Sequence, residues 1–197
     1  MLILKSIFFT GFFTGGTHMN NNGNTNAGMG LHSNSQGFDK AFLEQLQDVY
    51  DAETQLLTAL PKMQQAASSQ KLKQIFQQHL QVTERQRQRL EQVFQAIGQP
   101  AEAKTCPAMR GLIKEAEEIM QKQGQDPEVL DAALIGAAQK VEHYEIATYG
   151  TLRTWAQVLG HQQAITALEA TLEEEKQADQ LLTSAAEHNI NQRAAES

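Results

Sequence analysis

Apolar residues recur three and four positions apart along four stretches of the chain between residues 38 and 188, and in every stretch an acid or a histidine interrupts the stripe. That spacing puts the apolar residues on one face of an α-helix, so each stretch has to bury one side against the others. The interruptions are Glu53 in the first stretch, His79 in the second, the pair Glu142 and Glu145 in the third, and the pair Glu175 and Asp179 in the fourth. An isolated charge in a helix-bundle interior is expensive, so such groups are paired or bound to a cation. No lysine or arginine shares these seams; Arg85, Arg87, Lys140 and Lys176 all fall off them. The pattern describes a bundle with a cavity lined for cations.

The first stretch runs from about Phe38 to Ala67 on Phe42, Leu46, Val49, Leu56, Leu60 and Met63, with Pro61 removing one backbone donor and predicting a kink. Ser68 and Ser69 break the pattern. The second stretch, from about Gln70 to Ile97, carries Leu72, Phe76, His79, Thr83, Gln86, Leu90 and Val93, and Gly98 is its stop signal. A loop then leads to a short helix opening at Pro107. Asp126-Pro127 starts the third stretch as a cap followed by proline at the first helical position. It continues through Ile135, Ala138, Glu142, Glu145, Tyr149 and Leu152 to Gly160. The fourth carries Ile165, Leu168, Leu172, Glu175, Asp179 and Leu182, and frays near His188. Each main helix approaches thirty residues, hence roughly 40 Å. Two tight helical hairpins joined by one long connection make an all-α fold, a ferritin-like four-helix bundle with one crossover that contains a short extra helix.

Counting from the turns tests whether the polar positions meet. From Gly160, Glu145 lies 15 residues back and Glu175 15 forward, while Glu142 and Asp179 lie 18 back and 19 forward. Equal counts mean equal height in antiparallel neighbours, so oxygens of Glu145 and Glu175 are expected within roughly 5 Å if one ion bridges them. Glu53 precedes Ser69 by 16 residues and His79 follows it by 10. His79 is therefore expected about 9 Å nearer the turn than Glu53. Glu84 matches Glu53 in height but points about 140° away from His79 and ranks below it. Five carboxylates with one imidazole suit two iron ions, or two of manganese, per chain.

Composition narrows the partners. The formal net charge is −7, which argues against nucleic acid or an anionic membrane as the main partner. One cysteine, Cys106, excludes an internal disulfide and fits a cytoplasmic location. Residues 1–18 hold a short apolar run from Ile7 to Phe13, too short to span a bilayer. They read as a translated leader ahead of a start at Met19, or alternatively as a signal peptide. Residues 19–37 are Asn- and Gly-rich and are expected to be disordered, leaving one domain over residues 38–190.

The run AAQKVEHYEIATYGTL at residues 137–152 resembles the YciE/YciF family of ferritin-like proteins, as do DVYDAETQLLTALPKM (48–63), FQQHLQVTE (76–84), CPAMRGLIKEA (106–116) and TLEEEKQADQLLT (171–183). The resemblance implies a ferritin-like fold, a homodimer, and a place among bacterial stress-response proteins. It also implies kinship in fold with rubrerythrins, bacterioferritins and dimanganese catalases. The wider di-iron pattern takes a Glu from each of two helices and Glu-x-x-His from each of the other two. Here the second helix offers His79 with Val82 three residues on, and the fourth offers Glu175 and Asp179 with no histidine. His143 lies beside the acids but about 100° off their seam. Two readings follow. One is a non-haem di-metal oxidoreductase reacting with hydrogen peroxide or oxygen. The other is a non-enzymatic stress-associated structural or binding protein with a vestigial or stabilising metal site.

Overall fold

The computed structural model describes residues 35–197, all of them helical or in short connections. The element order is α1 (Ser35–Ala66), α2 (Gln70–Ala96), α3 (Pro107–Gln123), α4 (Pro127–Leu159), α5 (Gln162–Ala185), a π-helical turn (Ala186–Ile190) and α6 (Asn191–Glu196). The expectations for the leader and most of the Asn/Gly-rich tail lie outside the described residues. Helices α1, α2, α4 and α5 form the four-helix bundle, and α3 sits in the crossover against α4 and α1.

The stop and start signals work as side-chain chemistry. Ser69 caps α2 by accepting from Leu72 N, and Asp126 caps α4 by accepting from Val129 N. Gly98 and Gly160 follow α2 and α4 at φ 69° and 75°, left-handed conformations that an L side chain would strain. Cys106 caps α3, its sulfur accepting from Met109 N ahead of Pro107. Helix α1 continues unbroken through Pro61 to Ala66.

Two ends of the helical pattern differ from expectation. Helix α1 begins at Ser35 rather than near Phe38, and the last helix does not fray near His188. The chain continues through the π turn, which inserts one extra residue into the helical repeat and turns Ala186 and Ile190 into the core. Arg193 then pairs with Glu128 at the start of α4. Burial and this ion pair extend the helix where periodicity alone stops.

The core is built in two apolar blocks. One holds Phe42, Leu46, Val49, Leu90, Phe94, Leu152 and Leu168 at the Gly160 end. The other holds Leu56, Met63, Leu72, Phe76, Leu134, Ile135 and Leu182 toward the turn at Ser68. Glu53, His79, Gln86, Glu142, Glu145 and Glu175 lie between the blocks, so the bundle has a polar layer sealed above and below by hydrocarbon.

Candidate metal centre

Glu53 on α1, His79 on α2, Glu142 and Glu145 on α4, and Glu175 on α5 are all buried. One ligand atom from each of His79, Glu142, Glu145 and Glu175 lies within 4.8 Å of all the others. The spacing between Glu145 and Glu175 thus meets the distance obtained by counting from Gly160. Three turns of α4 and α5 on either side of a tight hairpin leave little freedom in register, which is why counting works there.

The remaining sequence candidates lie at the edge of this group. Glu53 is completely buried in the same layer but outside the four-group cluster, and its Oε1 accepts a hydrogen bond from Tyr149 Oη. Asp179 is not drawn in. It accepts from Gln139 Nε2 at 3.0 Å and faces His143 Nε2 at 3.4 Å, with its side chain 22% exposed. Four residues on from Glu175 is about 40° more than a full turn, which carries Asp179 to the α4 edge. Glu84 is exposed.

Sequence reasoning missed two contributors. Gln86 is completely buried, two turns beyond His79, and its Nε2 donates to Glu175 Oε1 and to Glu174 Oε2. Arg89 grips Glu174 with two hydrogen bonds of 2.8 and 3.0 Å and also donates to Thr171. A base therefore reaches the layer indirectly, through Glu174 and Gln86, although none stands on the seam. An inward-facing Gln on an otherwise apolar stripe was the available signal.

The electrostatics are those of acids taken out of water without partners. Burial, then the nearby charge of Glu175, pushes Glu53, Glu142 and Glu145 well above the usual carboxyl range. Burial also raises Glu175, to about 7, against the lowering effects of its hydrogen bonds with Glu142 and Gln86. Burial lowers His79 to about 4, so near neutrality its imidazole is uncharged and suited to a metal. His79 Nδ1 lies 3.3 Å from Glu142 Oε1.

The unpartnered atoms of the layer are of metal-ligating types. Both carboxyl oxygens of Glu145, and one each of Glu53, Glu142 and Glu175, are buried without a hydrogen-bond partner in the protein, as is His79 Nε2. Hard oxygens with one imidazole nitrogen fit iron or manganese, and a divalent ion would satisfy several of these atoms at once.

The fold and site together define a helical-bundle protein with a buried carboxylate–histidine layer. Residues 37–195 match the family described as Domain of unknown function (DUF892), and the chain belongs to this family. It is 46% identical over 162 residues to Protein YciF of Escherichia coli, spanning 82% of this chain and 97% of that protein. The crystal structure of the E. coli stress protein YciF superposes with a TM-score of 0.75 at 47% identity, covering 78% of this chain and 97% of the other. YcfI from Rhodopseudomonas palustris superposes with a TM-score of 0.72 at 44% identity over the same shares. Among the described residues no helix is long and apolar enough to cross a membrane.

Proposed function

We propose that this chain is a stress-response protein of the YciF type whose polar layer holds a dinuclear iron or manganese centre that reacts with hydrogen peroxide or oxygen. The observation that carries the reading is the cluster of His79, Glu142, Glu145 and Glu175, buried with most of its oxygens unpartnered. His79, Glu142, Glu145 and Glu175 would hold the metal, and Glu53, buried in the same layer, would complete the ligand set. A metal held there would supply electrons to the oxidant and Lewis acidity to its oxygens.

The protein's part is positioning and proton control. Gln86, held by Glu174 and Arg89, fixes one oxygen of Glu175 and leaves the other free. Tyr149 does the same for Glu53. Protons that burial holds on Glu142, Glu145 and Glu175 would have to leave when an ion enters, since a carboxylate must be ionised to coordinate. The two apolar blocks keep bulk water from the layer. Asp179 stays outside the cluster in this arrangement, holding His143 and Gln139 at its rim. We also infer a homodimer working in the cytoplasm, by likeness to the family.

The test is elemental analysis of chain purified without chelator, followed by an Fe(II) titration and mixing with peroxide. About two ions per chain, and Fe(II) oxidation faster than that of free iron, support the reading. Metal bound without turnover, with stability lost on its removal, favours the structural alternative, for which the single imidazole speaks. A chain that takes up no metal defeats the di-metal reading and leaves the structural alternative with a vestigial site.

A further inference from the structure

A groove with a volume of about 380 Å³ runs between α2 and α5. Its walls include Gln78, Val82 and Arg85 from α2, and Glu174, Ala178 and Leu181 from α5; His79 lines it as well. That volume holds roughly a dozen waters at about 30 Å³ each. We propose that this groove is the route by which a small uncharged oxidant of the hydrogen peroxide class reaches the carboxylate layer, with the imidazole of His79 as its floor. The inference rests on the reading of that layer as a metal centre.

Two observations place His79 at the boundary. Its Nδ1 lies 3.3 Å from Glu142 Oε1, on the layer side. The same residue lines the groove, and its Nε2 is buried without a hydrogen-bond partner. One thin aromatic ring thus belongs both to the groove and to the layer.

Charge decides the class of visitor. A path that draws in cations carries unpaired acids along its wall, because their field raises the local cation concentration. Here the acid on the wall, Glu174, is already gripped by Arg89, and Arg85 adds a positive charge beside it. A divalent ion gains nothing on this route. An uncharged molecule with hydrogen-bond donors and acceptors is not opposed, and it meets the amides of Gln78, Gln81 and Gln177 on the way in.

The experiment uses the full chain, metal-free, and the small electrophile diethyl pyrocarbonate, with modification of each histidine followed by peptide mass spectrometry. The variants Ala178→Trp and Val82→Phe fill the groove from opposite walls, and circular dichroism checks each for folding. In the native chain His79 should react more slowly than the exposed His143 and His188 but measurably. In either folded variant its rate should fall at least about tenfold, with His143 and His188 unchanged. Equal rates at His79 in the native and filled chains, or no reaction at His79 in the native chain, overturn the route. In a second arm, Fe(II)-loaded variants should keep the native metal content while their oxidation by peroxide slows; an unchanged rate also overturns it. Failure of the native chain to take up metal would instead defeat the proposed centre, and the metal-free arm would still decide whether the groove leads to His79.

Discussion

Two places on α4 bury an acid, and they are built oppositely. Asp131 sits at the turn between α1 and α2. Its Oδ1 accepts from Ser68 N at 2.7 Å, and its Oδ2 from Ser69 N at 2.7 Å and Ser68 Oγ at 2.6 Å. Every strong direction around it points to a donor, and the result is a clamp tying α4 to the α1–α2 hairpin. Some four turns further along, Glu145 is equally buried and neither of its oxygens has a partner. The same helix thus saturates one buried carboxylate and withholds donors from another, and that contrast is what supports the proposed metal centre.

The largest expected effect breaks the layer's half of the comparison. Changing Glu145 and Glu175 together to Gln should abolish metal binding by elemental analysis while the circular dichroism spectrum stays helical, because shape and packing are kept. Full metal content in that variant would show the layer to be no binding site.

Next in size is the clamp. Asp131→Ala strands two backbone donors and a hydroxyl in a partly buried turn, which should cost about 3 kcal/mol in urea unfolding. Its metal content should stay native. Loss of metal with Asp131→Ala would mean that the two sites are not independent.

The opposite sign is expected in the layer. In metal-free protein, Glu145→Leu removes an unpaired buried acid and should stabilise the chain by about 1–3 kcal/mol. If it destabilises the metal-free chain instead, Glu145 has a partner in solution and the contrast with Asp131 disappears.

The smallest effect is in pH. The folded carboxyl of Glu175 titrates near 7, above its ordinary 4.5, so between these values the folded chain holds more protons than the unfolded one. That contribution to stability is complete below about pH 4.5 and is lost as pH rises through 7. Glu53, Glu142 and Glu145 act in the same direction. His79, lowered from 6.5 to about 4, opposes them, adding stability as pH rises across that window. The acids outnumber it, so metal-free protein should be less stable at pH 8 than at pH 5 in urea unfolding. Mn(II) should reverse the slope, because metal binding requires the ionised forms. A metal-free chain that grows more stable from pH 5 to 8 would show that these acids are not held protonated.

How much of the site was legible depended on which hairpin is considered. Between α4 and α5 the turn is only Gly160, with a left-handed backbone, and His161, and residue counting placed Glu145 beside Glu175. Between α1 and α2 the turn spans several residues, and the same counting could give only a height offset for Glu53 and His79. Asp179 shared a seam on paper, but 40° of extra rotation was enough to hand it to Gln139 and His143. Arg89 lay off every seam. Only the packing of α2 against α5 let its long side chain reach Glu174, and through Gln86 the layer.

The sequence by itself determined the four helices, their caps at Ser69 and Asp126, the stops at Gly98 and Gly160, and the presence of acids where apolar residues belonged. These are local matters of spacing, capping and backbone freedom, readable a few residues at a time. Tertiary structure alone decided which acids would be given donors. Asp131 obtained three from a turn more than sixty residues away in sequence, and Glu145 obtained none. It also decided that the last helix would continue through a π turn, because burying Ala186 and Ile190 against the bundle is a gain that helical periodicity does not contain. Hydrogen-bond satisfaction and burial depend on what the rest of the chain brings alongside, and helix packing, acting across long sequence separations, settles that.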